Sequence, residues 1–151
     1  MASIKFTDMV KVGTTSNPKF TFTDLHLDMV YDIYNRDLVV DYDERAISNS
    51  IMNILTTVPG ERFLIPEFGC DLLSLVFKPI TDYTGKMIGQ RIFNAIKRWE
   101  PRVQIEKILV VGKPDVHEYN ISISILLPKL KVRANIINVL GKEGIRESRV
   151  I

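Results

Sequence analysis

Glu61 and Glu67 stand on either side of Pro66 and its apolar neighbours in the stretch GERFLIPEFG, residues 60–69, which begins and ends on glycine. Two carboxylates this close in a turn-rich segment could do glycosidase chemistry. That chemistry needs one protonated acid and one ionised partner roughly 5 to 9.5 Å apart across the scissile bond. Asp71 and Glu100 are the further acids that could join such a pair. Arg62 adjoins Glu61, and Glu100 and Arg102 flank Pro101, so these acids have cations at hand that favour the ionised form. An ionised, paired carboxylate is a poor general acid. A peptidoglycan-cleaving, lysozyme-like glycosidase built on Glu61 and Glu67 is therefore the second reading of this stretch.

The first reading is a structural loop made by Gly60, Glu61, Arg62, Pro66, Glu67, Phe68 and Gly69. In it Gly60 ends a helix, Arg62 holds Glu61, and Gly69 turns the chain toward Leu72 and Phe77. Phe63, Leu64, Ile65 and Phe68 are expected to tuck into the core.

Other chemistries lack the spacing they require. The glycines do not fall into a phosphate loop with a following Lys-Ser or Lys-Thr. A zinc site draws three or four ligands at short spacings, whereas His26, His117 and Cys70 are far apart. Cys70 with either histidine is too little for a nucleophile, which needs a base and a group that orients it. A lone thiol is expected as a small buried hydrophobe. Arg91, Lys97 and Arg98 on one segment and Lys129, Lys131 and Arg133 on another read as solvated faces, without the interleaved aromatics of a nucleic-acid surface. No catalytic, cofactor or metal site is expected, and neither nucleic acid nor membrane is expected as a partner.

These groups have to be positioned by one domain, since 151 residues suit a single core. Hydrophobic residues make up 46% and charged ones 25%, which is ordinary for a globular chain. Twenty basic residues against 18 acidic ones leave a formal charge of +2, too small for a field that advertises nucleic acid. The N-terminus shows no secretory pattern, and no stretch approaches the roughly 18 apolar residues that span a bilayer.

Three regions follow. Residues 1–40 are expected as an N-terminal arm and extension, with 1–18 aperiodic and Phe20, Phe22, Leu25 and Leu27 alternating in strand fashion. Residues 41–140 form the domain proper, and 141–151 a C-terminal arm, extended or mobile. Within the domain, Ile47, Ile51, Ile54, Leu55 and Val58 recur at helical spacing over about 43–57. Asp41 or Asp43 starts this helix and Pro59-Gly60 stops it. A second helix spans about 82–99, with Ile88, Ile92, Ala95, Ile96 and Trp99 on one stripe, Thr81 or Asp82 as its cap and Pro101 as its end. The period then changes to 2, for Tyr119, Ile121, Ile123 and Ile125 alternate with polar residues. Residues 103–111 pair with that strand as a hairpin, and a third strand lies around 131–137. The fold class is α+β: a small antiparallel sheet with two main amphipathic helices packed on one face. Its open edges call for a partner.

An ordered set of short motifs resembles a known family. Ala46-Ile47, Ser50-Ile51, Asn53-Ile54-Leu55-Thr56-Thr57, Gly60-Glu61-Arg62, Pro66-Glu67-Phe68-Gly69, Leu72, Phe77 and Glu100-Pro101-Arg102 occur in the order found in small baseplate-wedge proteins of contractile-tailed phages. Related subunits serve type VI secretion baseplates. The resemblance covers about residues 40–127 strongly and 24–38 more loosely. It implies a structural, non-catalytic virion subunit, assembled in the host cytoplasm. It also implies that Glu100, Pro101 and Arg102 contact the helical core bundle of neighbouring wedge subunits. The sheet would template the first ring of tail sheath protein by accepting strands, and tail tube or hub proteins are further partner candidates.

Overall fold

The computed structural model describes residues 20–26, 29–34 and 36–150, with the backbone alone for 147–150. In chain order the elements are β1 (Thr23–Leu25), β2 (Tyr31–Asp32), β3 (Asp37–Leu38), β4 (Val40–Tyr42), α1 (Asp43–Thr56), α2 (Leu73–Val76), α3 (Asp82–Trp99), β5 (Gln104–Lys113), β6 (Glu118–Leu127), β7 (Val132–Gly141) and β8 (Gly144–Val150). The last four form an antiparallel meander in spatial order β5-β6-β7-β8. β1 pairs with β4 and β2 with β3 as two short ladders, which backbone bonds from His26 to Val39 and from Val39 to Val30 connect. Expected residues 1–18, and Leu27, lie outside the described residues.

The sheet has one wet and one dry face, and the sequence period decides which. On β6 Tyr119, Ile121, Ile123, Ile125 and Leu127 are buried, while the residues between them are half-buried. Ala134, Ile136 and Leu140 continue this inner face on β7. Ile47, Ile51 and Ile54 of α1 and Ile88, Ile92 and Ile96 of α3 are almost wholly buried in the same core. Full burial of each such side chain is worth about 1.5–3 kcal/mol. This is the expected α+β arrangement.

Tyr119 is an exception within that core, since its hydroxyl is buried with no hydrogen-bond partner among the described residues. A desolvated, unpaired hydroxyl costs free energy that a phenyl ring does not. Tyr119→Phe is therefore expected to hold or raise stability, by up to about 1 kcal/mol, in urea denaturation; a loss of that size would show the hydroxyl to be bonded.

α3 behaves as its sequence directs: the Thr81 hydroxyl accepts from the Thr84 amide at 3.2 Å. α1 does not. Its N-cap is Tyr42, without a side-chain cap. The aspartates expected to cap it are engaged elsewhere. Asp43 Oδ1 accepts from the amides of Thr21 and Phe22 at 2.9 and 3.0 Å, and Asp41, 3% exposed, accepts from Asn49 at 2.6 Å and lies 2.6 Å from His26 Nδ1. Both carboxylates tie the N-terminal extension to the start of α1.

The C-terminal segment is the other departure. Residues expected as an arm form β8, paired antiparallel with β7 from Gly141↔Gly144 to Ile136↔Val150. Gly144 adopts φ +103 and closes this hairpin. β5 and β8 are the outer strands of the meander, and no described strand pairs with their outer sides.

Candidate docking site

Glu100-Pro101-Arg102 is a corner. The Glu100 amide donates to the Ile96 carbonyl at 2.8 Å, closing α3, and the exposed Pro101 forbids another turn. Two residues after Arg102 the chain enters β5. The Glu100 side chain points inward and is 2% exposed. Its carboxylate accepts from Arg102 Nε and Nη2, both at 2.6 Å, and from the Ser50 hydroxyl of α1 at 2.5 Å. Burial alone would raise the Glu100 pKa, but the bonds from Arg102 and Ser50 and the guanidinium charge outweigh it and hold the carboxyl below its usual range. The same bond raises Arg102.

Arg102 is one-third exposed, and its guanidinium also lies 5.5 Å from the centre of the Phe22 ring. Lys129, from the turn between β6 and β7, approaches that ring at 5.7 Å. Four parts of the chain therefore meet here: the N-terminal extension, α1, the α3–β5 corner and the β6–β7 turn. The Glu100 carboxylate is turned inward and bonded within the chain. What faces outward is Pro101 and part of the guanidinium.

The GERFLIPEFG loop is braced, by contacts that differ from those expected. Glu61 Oε2 accepts from the Val58 amide at 3.0 Å. Arg62 does not hold Glu61; it lies over the Phe68 ring at 3.9 Å. Phe68 packs against Trp99 with ring centres 5.3 Å apart, and Glu67 is ion-paired with Arg98. The loop is closed by Gly60 N–H to the Pro66 carbonyl at 2.8 Å and Cys70 N–H to the Thr57 carbonyl at 2.9 Å. Phe63 and Leu64, expected in the core, are 97% and 90% exposed at its tip; with the loop ends tied together, its middle is pushed outward. Phe77 is exposed as well.

The remaining candidates fall into ordinary roles. Asp71 is held below its usual pKa first by its bond from the Ser74 hydroxyl, with Arg91 adding to the effect. Burial pushes the Cys70 thiol up to about 11, so it is a poor nucleophile. Arg91 pairs with Asp71, Arg98 with Glu67 and Arg133 with Glu106, which offsets much of the basic faces. Among the described residues no group of three or more His, Cys, Asp or Glu is placed to hold a metal, and no helix is long and apolar enough to cross a membrane.

Sequence reasoning missed a cleft of about 860 Å³ that runs between α3 and the outer strand β5. Gly85, Gly89 and Phe93 line it from the helix, and Ile105, Ile108 and Val110 from the strand. A Cβ added at Gly85 or Gly89 would meet Val110 at 3.9 and 3.7 Å, which is ordinary contact. Neither glycine is thus required by a close approach, although each costs a helix interior about 1 kcal/mol relative to alanine. Their effect is to leave the cleft open. The signal in the sequence was two glycines four residues apart on an otherwise good helix.

A helix-covered antiparallel sheet whose outer strands are unpaired among the described residues presents edges that another chain can join. Residues 41–129 match the family of baseplate wedge protein gp25, and the chain belongs to that family. It is 34% identical over 104 residues to baseplate wedge protein gp25 of Enterobacteria phage T4, covering 69% of this chain and 76% of that one. A structure from Geobacter sulfurreducens, named only as a putative tail lysozyme, shares 28% identity at a TM-score of 0.62, over 74% of this chain and 98% of its own. A chain of the anti-feeding prophage baseplate has the same fold, with a TM-score of 0.65 at 20% identity over 70% of this chain and 85% of that one. The protein is a structural subunit of a contractile-tail baseplate wedge and a component of the virion tail.

Proposed function

We propose that this subunit docks on the helical core bundle of neighbouring wedge subunits through the Glu100-Pro101-Arg102 corner. It then templates the first ring of tail sheath protein by accepting a strand along the outer side of β5. The observation that carries the strand reading is the α3–β5 cleft, where an edge strand ten residues long faces open space beside two glycines. An unpaired strand edge offers backbone N–H and C=O groups to an incoming strand, and side-chain pockets beside it set the register. The role is non-catalytic. Glu61 is spent on a backbone amide and Glu67 on Arg98, and neither Asp71 nor Glu100 has the raised pKa of a general acid.

Filling the cleft from Gly89, the half-buried one of the two glycines, tests this. Gly89→Leu replaces a poor helix former by a good one. Purified protein is expected to keep its thermal stability. Particles carrying the variant are expected to show baseplates that contain the subunit but bear no sheath in electron micrographs. Normal sheath on such particles would sink the strand-acceptor role of β5.

A further inference from the structure

The β2–β3 hairpin is left over when the site has been described. Each strand is two residues long, and the tip they form is joined to the β1–β4 ladder by the Val39 amide, which donates to the Val30 carbonyl at 2.8 Å, and the His26 amide, which donates to the Val39 carbonyl at 3.0 Å. Two residues of pairing alone would be marginal in water, so the tip depends on that longer stem. It nonetheless carries a concentrated apolar surface: Ile33 and Tyr34 at the turn are 78% and 98% exposed, and Met29, Val30 and Tyr31 behind them are exposed too. Single exposed apolar residues are unremarkable, but a contiguous set marks a contact surface.

Charge separates the two classes of partner that would take such a tip. The sequence from 24 to 37 carries aspartate at 24, 28, 32 and 37 against a lone arginine, Arg36. An acidic stem is repelled by the anionic lipid surface that would otherwise suit an aromatic tip. It is attracted by lysine and arginine at the rim of a protein pocket, where charge complementarity steers encounter and fixes orientation. Tyrosine is also among the residues enriched at the centres of such interfaces. The hairpin precedes the stretch matched to the family, residues 41–129, so its partner need not be one that all members share.

We propose that this hairpin is a docking finger, which inserts Ile33 and Tyr34 into an apolar socket with a basic rim on another subunit of the same particle. The proposal rests on the baseplate reading. A photo-crosslinking amino acid placed at position 34 in the full chain, within assembled particles, names the socket by mass spectrometry. The expected product is one crosslinked peptide from a different subunit, with lysine or arginine beside apolar residues. Ile33→Ser with Tyr34→Ser should leave the melting temperature of the purified subunit unchanged and lower its retention in particles at least about tenfold. Asp32→Lys with Asp37→Lys should weaken retention too. Crosslinks to a second copy of this chain, to an acidic surface, or to nothing overturn the finger, as does normal retention of the serine pair. Binding of the purified chain to phosphatidylglycerol vesicles through Tyr34 would overturn it in favour of a membrane. Absence of the wild-type subunit from particles would sink the baseplate reading itself, so the two failures are distinguishable.

Discussion

Arg102→Ala is expected to lower stability by about 3 kcal/mol, the cost of leaving a buried carboxylate without its cation. Glu100 sits at 2% exposure with two of its three bonds from Arg102, and Ser50 alone cannot neutralise it. For a domain of this size the loss corresponds to a fall in melting temperature of about 6–12 °C. Arg102→Lys restores charge but not the two-pronged geometry, so only part of the loss should return. Glu100→Ala with Arg102→Ala removes both ends of the pair and should be more stable than Arg102→Ala alone. The double variant is thus the better probe of docking: a folded monomer that no longer enters wedges supports the corner as a contact, and normal baseplates from it would refute that role.

The pH dependence of these variants has a definite sign. Glu100 has a folded pKa below its ordinary value of 4.5. The pair's contribution is therefore fully present above about pH 4.5 and disappears as pH falls through the lower folded value. In Arg102→Ala the main opposing causes are gone, and burial raises the carboxyl. The stability gap between wild type and variant should then be widest at neutral pH and should narrow on acidification. Urea denaturation between pH 3 and 8 measures it; a gap that stays constant would mean that Arg102 acts through packing on Phe22 rather than through charge.

What the sequence made legible follows from what its patterns measure. Periodicity reports burial, so α3 and β6 were readable almost to the residue, because every second or third side chain enters the core. β8 was not, since an outer strand whose middle reads Arg146-Glu147-Ser148-Arg149 carries no apolar alternation. Asp41 and Asp43 have the right chemistry for a helix cap, yet the extension supplies competing partners, Thr21, Phe22 and His26, that a linear pattern cannot show. Phe63, Leu64 and Ile65 look like core by composition. Their exposure comes from the tied loop ends, which is a property of geometry. Likewise Glu100 and Arg102 were visible as a pair, whereas the inward turn of Glu100 onto Ser50 and the place of Arg102 beside Phe22 depend on the fold.

Gly69→Ala is expected to be as damaging as the loss of Arg102, for a different reason. Gly69 adopts φ +111, a conformation that side chains disfavour, and an added Cβ would stand 2.2 Å from the Thr57 carbonyl oxygen. That oxygen accepts from the Cys70 amide, one of the two bonds that close the loop. Relief of the clash must therefore move either the end of α1 or the start of the buried segment at Cys70 and Leu72. Strain of this kind costs about 1–3 kcal/mol, and disruption of the closing bond adds to it. Gly60→Ala is the internal control: its φ of +100 is similar, but nothing lies within 4 Å of the added atom. It should lose only the conformational part, somewhat more than about 1 kcal/mol. Thermal melts of the two variants side by side separate strain from collision. Equal losses would mean that the backbone angle alone matters and that the Thr57 carbonyl yields freely, which would leave the loop far less rigid than its bonds imply.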